Sequence, residues 1–275
     1  MDPRAFCRDR AAQPGSTMYY ATLFLPPEDQ ELPVAAEALR LELFEIVHHA
    51  SDRSVAQQRL AWWSTELVAT RDGDPSHPIT RALASKVDAA EWRRPEWVSI
   101  LGRLGSLARA GNPGSRTDRD DLCRALGACI DVVDRAASPA RTGSAPAEAG
   151  YWLVRSELAR NPVAPAPAGL HYLPREVLEE LALADVRTPD LQGSPAVAEW
   201  LASERATCIA ALDELDRLAG QRPAPVTTCS RARARIEAAM LRTAMSRGPS
   251  SAGTRPRRAA TRPCSPGCAA SPRTA

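Results

Sequence analysis

A chain of 275 residues allows one large domain or two small ones, and a hydrophobic fraction of 44% is enough to build a sizeable core. The net charge is +2 but uneven: residues 246–275 carry six arginines and no acid, so residues 1–245 stand at −4. That balance gives no basic patch across the body and argues against a nucleic-acid partner. No apolar run approaches the ~20 residues that cross a bilayer. The opening residues Met1 to Arg10 lack the apolar segment of a secretory signal. A cytoplasmic protein is expected, with at most peripheral contact at the inner membrane.

Lys86 is the sole lysine; the other basic residues are arginine, in a chain also rich in Ala and Pro, which reads as codon bias rather than selection for anion contacts. The seven cysteines are odd in number and scattered, as expected of free thiols in a reducing compartment. Cys264 and Cys268 have half the spacing of a zinc site but no second pair nearby.

Taken in chain order, residues 1–17 read as a polar lead-in ending at the Pro14-Gly15 turn. Met18 to Leu25 reads as a short buried helix closed by Pro26-Pro27. A long helix follows from Pro27, with Val34, Ala35, Ala38, Leu39, Leu41, Leu43, Ile46 and Val47 forming a broad apolar face. Ser51-Asp52 breaks it. Val55 to Thr70 is a second helix with Leu60, Trp63 and Leu67 on one face. Asp72 to Pro78, with His77, is a loop. Helices are then expected over Ile79–Val87, Trp97–Ala110 and Asp118–Arg135, the last with Leu122, Leu126, Ile130 and Val133 inward. Ser138–Ala147 is a linker, Glu148–Arg160 a helix, and Asn161–Gly169 is kept from helix by three prolines. Arg175–Ala184, Ala196–Leu218 and Arg231–Met245 complete the helices, with Trp200, Ile209, Leu212 and Leu215 as core candidates. No strand alternation or repeat is visible. The expectation is an all-α domain over residues 1–245 and a disordered Arg-, Pro- and Ser-rich tail over 246–275.

Glu42, Glu45, His48 and His49 lie within two turns, and Glu45-x-x-His48 has the spacing used on helices of di-metal bundles. No partner carboxylates are placed on other helices, so a partly exposed polar face is the expected reading. Tyr19 and Tyr20 suit either core packing or the lining of an apolar ligand cavity.

Four stretches in order resemble the squalene/phytoene synthase family: Ala11-Ala-Gln-Pro-Gly-Ser-Thr-Met-Tyr-Tyr-Ala-Thr-Leu-Phe-Leu-Pro26, Ala50 to Trp63 with its Leu60-Ala-Trp-Trp63, Gly73 to Leu83, and Leu170-His-Tyr-Leu-Pro174. The resemblance implies an isoprenoid-synthase helical bundle around a central cavity. It also implies joining of two prenyl diphosphates, with Mg held by two aspartate-rich motifs on facing helices. Hard cations held by carboxylates neutralise the diphosphate as it leaves.

The same register removes those motifs. The first falls on Phe44-Glu45-Ile46-Val47-His48 and keeps one carboxylate; the second falls on Glu157-Leu-Ala-Arg160-Asn161 and beyond, and keeps only the arginine. Glu45, His48 and Arg160 are therefore remnant catalytic positions, with Tyr19 and Tyr20 as substrate-side candidates. Arg160 is expected to pair with a surface acid. The reading is a catalytically inactive binding or assembly scaffold; its rival is an active Mg-dependent prenyl transferase. The partners that fit are a prenyl diphosphate, an apolar isoprenoid or another protein.

Overall fold

The computed structural model describes residues 2–48, 52–137, 148–160, 171–186, 188–191, 193–219 and 227–246. Twelve α-helices and one short 3₁₀ turn make up the regular structure of these residues, and no strand occurs among them. The linker at 138–147, the proline segment at 161–169, His49 and the tail from 247 lie outside the described residues.

The first helix, α1 (Pro3–Ala11), corrects the expectation of a polar lead-in. The Asp2 carboxylate accepts hydrogen bonds from the backbone N–H groups of Arg4 and Ala5, and Pro3 stands where a helix loses nothing by lacking an N–H. Its apolar stripe is thin, Cys7 and Ala11, yet both are buried. Helix α2 (Thr17–Thr22) is shorter than the stretch expected and buries Met18 rather than its aromatic neighbours. The chain leaves it with Phe24 90% exposed, so the buried-helix expectation fails over residues 23–25.

Helix α3 (Pro27–His48) is the axis of the molecule. Helices α1 and α5 (Pro78–Ala84) pack on it, as do α6 (Glu96–Ala110) and α7 (Arg116–Ala137). Helix α4 (Arg53–Arg71), capped by Asp52, lies against α6. Leu60, Trp63 and Leu67 are buried as expected, while Trp62 is half exposed. On its buried side, Glu66 binds the loop before α5. It accepts the backbone N–H groups of Ser76 and His77, each at 2.9 Å, and the hydroxyls of Ser76 and Thr80. Burial alone would raise this carboxyl, but those donors outweigh it and hold it below the usual range. His77 is the N-cap of α5, its Nδ1 3.2 Å from the N–H of Ile79, with its ring against Phe6, Trp62 and Trp63. It closes the loop rather than decorating it.

The second half of the bundle is α7, α8 (Ala149–Arg160), α11 (Pro195–Ala219) and α12 (Thr228–Ser246). Two short helices, α9 (Arg175–Glu180) and α10 (Thr188–Leu191), carry a satellite core with Leu173, Leu178, Leu191, Val197 and Leu201. Helix α9 stops four residues before the expected end, and Ala182 sits at φ 56 just beyond it. The α10 turn was not anticipated. Trp200, expected in the core, is only partly buried and lies under the Arg119 guanidinium at 5.2 Å.

Helices α7 and α8 cross at Gly127 and Gly150. A Cβ on Gly127 would lie 2.5 Å from backbone atoms of Gly150 and Tyr151, and one on Gly150 would lie 2.1 Å from the Gly127 carbonyl oxygen. Neither neighbour is a side chain that could swing away. Two carboxylates one turn apart on α7 then fix where two other helices begin. Asp131 accepts the N–H of Gly150 at 2.7 Å at the start of α8. Asp134 accepts the N–H of Thr227 at 2.8 Å and the Ser230 hydroxyl at 3.0 Å at the start of α12. Burial pushes the Asp131 carboxyl up to about 6, the Gly150 N–H offsetting only part of it.

Two predictions follow from this packing. In Gly127→Ala the ~1 kcal/mol gained in helix propensity is outweighed by a clash with backbone, giving a net loss of about 2 kcal/mol or more in urea unfolding. Gly102→Ala is the control: nothing lies within 4 Å of the added Cβ in α6, so stability holds or rises by up to ~1 kcal/mol. For Asp131, the folded chain binds more protons than the unfolded one between about pH 4 and pH 6, so its contribution falls as pH rises through that window. Asp131→Asn keeps the acceptor for Gly150 and removes the ionisation. Relative to wild type it gains about 1–3 kcal/mol at pH 7 and little at pH 4, measured by urea unfolding at both.

Candidate functional site

The interior face of the bundle is built by α3, α8 and α12. Along α3 it presents Glu37 and Arg40, then Phe44 and His48 one and two turns on. Helix α8 adds Glu157 and Arg160, and α12 adds Arg233 and Glu237. Each of the first three pairs is spaced three or four residues apart and so shares one side of its helix, as do Arg233 and Glu237.

These charges close on one another. Arg40 donates through Nε and Nη2 to the two oxygens of Glu37 at 2.9 and 2.7 Å, and Nη2 also reaches Glu157 on α8 at 3.0 Å. Arg233 of α12 reaches Glu37 from the other side at 3.1 Å. Arg160 pairs with Glu237 at 3.1 Å, and the Thr17 hydroxyl donates to Glu237 at 3.1 Å. Three arginines thus face three glutamates, with no net charge left in the set. Arg40 is among the largest fully buried side chains of the molecule. Arg160 therefore meets a buried acid, which corrects the expectation of a surface partner.

Electrostatics decide the protonation states. Burial by itself would raise the Glu37 carboxyl; Arg233 and Arg40 overcome it and hold the group at about 2. Burial would lower the Arg40 guanidinium, but Glu157 and Glu37 keep it charged. Glu237 is raised, because burial exceeds what Arg160 and Arg233 return. Such a set adds little net stability against an apolar core, while losing one member costs several kcal/mol.

At the positions the family would give to aspartates stands an aromatic stack. The rings of Phe44 and His48 lie 5.6 Å apart at 15°, and Phe44 and Tyr172 5.5 Å apart at 23°. His48 Nδ1 is 3.1 Å from the Tyr172 hydroxyl. Glu45 points elsewhere, to Arg10 of α1, which also donates to Glu42 at 2.7 Å. The remnant positions Glu45, His48 and Arg160 are thus held by three separate partner sets. Tyr19 is partly buried, and Tyr20 is turned outward at 53% exposure, edge-on to Tyr19.

Magnesium asks for several oxygen ligands in near-octahedral array. Among the described residues no group of three or more His, Cys, Asp or Glu side chains could hold a metal ion. Phe44 offers none, and Glu42 and Glu45 already bind a guanidinium, so these residues do not fit the metal. The space between α2, α3, α7 and α12, lined by Met18, Glu37, Cys229, Ser230 and Arg233 among others, holds about 10 Å³. That is near the minimum for one water, against roughly 300–1,000 Å³ for a bound organic ligand. The five described cysteines are all free and buried, and burial raises their thiols to between about 11 and about 12, which makes them inert at neutral pH.

Sequence reasoning missed Glu37, Arg40, Arg233, Glu237 and Arg10. One signal was available: Glu37 and Arg40 sit inside the apolar face that runs from Val34 to Val47, three residues apart and opposite in sign.

Comparison with known proteins agrees with this architecture. Residues 11–103 match the family model described as squalene/phytoene synthase. No curated protein matches the chain. Among solved structures, a dehydrosqualene synthase in complex with ligand superposes with a TM-score of 0.67 at 18% identity, over 90% of this chain and 87% of that one. The squalene synthase HpnC from Alicyclobacillus acidocaldarius superposes at 0.64 and 17% identity, over 90% of this chain and 94% of that one. At such identities the likeness is one of fold. No helix among the described residues is long and apolar enough to cross a membrane. Over residues 11–103 the chain is thus similar to the squalene/phytoene synthase family model, and over 90% of its length it shares the fold of these two structures.

Proposed function

We propose that this chain is a non-catalytic member of the squalene/phytoene synthase family, retained as a binding or assembly scaffold. The observation that carries the reading is the Arg40 bridge from Glu37 on α3 to Glu157 on α8. It draws together the two helices on which the family's aspartate motifs would face one another. A guanidinium with its carboxylates occupies the interior there, and an aromatic stack replaces the first motif.

The competing reading is Mg-dependent joining of two prenyl diphosphates in isoprenoid biosynthesis, the chemistry that the sequence resemblance implies; its structural neighbours are named as a dehydrosqualene synthase and a squalene synthase. It would require Glu45 to hold the metal and His48 and Arg160 to meet the diphosphates, and each of these has another partner. It would also require room for two prenyl chains, whereas the space described between α2, α3, α7 and α12 holds about 10 Å³. A third possibility, an apolar isoprenoid bound without metal, would need far more than the ~10 Å³ of that space. A scaffold needs neither. It needs a stable surface, and residues such as Phe24 and Val98, exposed at 90% and 76%, give it apolar points of contact.

The deciding experiment incubates the full chain with farnesyl or geranylgeranyl diphosphate and Mg. The expected outcome is no coupled product and no diphosphate-dependent shift in melting temperature. Turnover that disappears in Glu45→Ala would overturn the scaffold reading.

A further inference from the structure

The mismatch between this interior and a divalent metal can be taken one step further. We propose that Arg40 is a built-in cation doing structurally what a bound metal would have to do here: it joins acids on two facing helices across the bundle. The site between Glu37 and Glu157 is therefore selective for a planar guanidinium and not for a hard divalent ion. This rests on the non-catalytic reading above.

The geometry supports the choice of cation. Glu37 offers both oxygens side by side to Nε and Nη2, the two parallel N–H···O bonds for which a planar guanidinium is shaped, whereas Mg asks for an octahedral set of oxygens and retained waters. The second acid, Glu157, is met by the same Nη2 at 3.0 Å. Arg233 already covers the far side of Glu37 at 3.1 Å. A divalent ion entering here would be held by only two carboxylates and would face Arg233 with twice the charge of the guanidinium it replaces, so its repulsion from Arg233 would be larger. With Arg40 in place each acid of the trio has a cation. Without it, Glu157 loses its one close basic partner on α3, and Glu37 keeps only Arg233.

Chemical rescue tests the assignment. Arg40→Ala leaves a guanidinium-sized space beside buried carboxylates, and its melting temperature falls by about 6–20 °C. Guanidinium at tens of millimolar raises it by about 3 °C or more relative to the same addition to wild type, whereas Mg or Mn does not. In Arg40→Met with Glu157→Met the pair Glu37–Arg233 remains balanced, so the chain folds and the guanidinium response disappears.

Equal or better rescue by a divalent ion, or none by guanidinium, overturns the proposal. Arg40→Lys gives an independent reading should the alanine variant not fold. An ammonium cannot match both oxygens of Glu37 and also reach Glu157, so its melting temperature drops by several degrees. Stability within about 1 °C of wild type would sink the requirement for a guanidinium. These outcomes concern the cation site alone; only turnover with prenyl diphosphates bears on the reading beneath it.

Discussion

Charge neutrality in the buried interior is the constraint from which much of this structure follows. An arginine as buried as Arg40 is tolerated only when acids surround it. Glu37 alone would satisfy its charge, but Glu157 supplies a second acid and Arg233 then has to balance the first. The chain of obligations runs through three helices that are far apart in sequence. It fixes their faces relative to one another more tightly than apolar contact would, because leucines can slide and ion pairs of about 3 Å cannot.

Carboxylates elsewhere in the molecule serve as fasteners rather than as ligands. Glu66 gathers the loop before α5 by accepting four hydrogen bonds, and Asp2 and Asp52 cap α1 and α4. In each case the acid lies where backbone N–H groups are unpaired by the helix itself. The acids of this fold hold loops, helix starts and arginines.

Much of the architecture was legible in the sequence. Leu60-Ala-Trp-Trp63 sets the register of α4, and Trp63 is buried where that register puts it. The apolar faces of α3 and α7 have the period that their burial requires. Helix α1 was hidden because its inward side is little more than Cys7 and Ala11 between charged residues, too thin a stripe to stand out. Phe24 is apolar yet exposed, because α2 ends at Thr22 and apolar character alone does not secure burial. The interior network was harder to see. Single charges on an apolar helix face look like the edge of that face, and the residue that answers Glu37 from α12, Arg233, lies nearly two hundred positions away. Only the absence of the aspartates could be read locally, through Phe44 and His48; what had taken over the interior could not.

Asp131 and Asp134 carry a consequence for assembly. Helices α8 and α12 each emerge from a long connection, and both begin on the same two turns of α7. The residues that must meet across the interior, Glu157 and Arg160 from one helix and Arg233 and Glu237 from the other, are counted off from those two starting points. A single short segment of α7 thus acts as the common origin from which two separate rulers are laid, and the ion pairs mark where their graduations coincide.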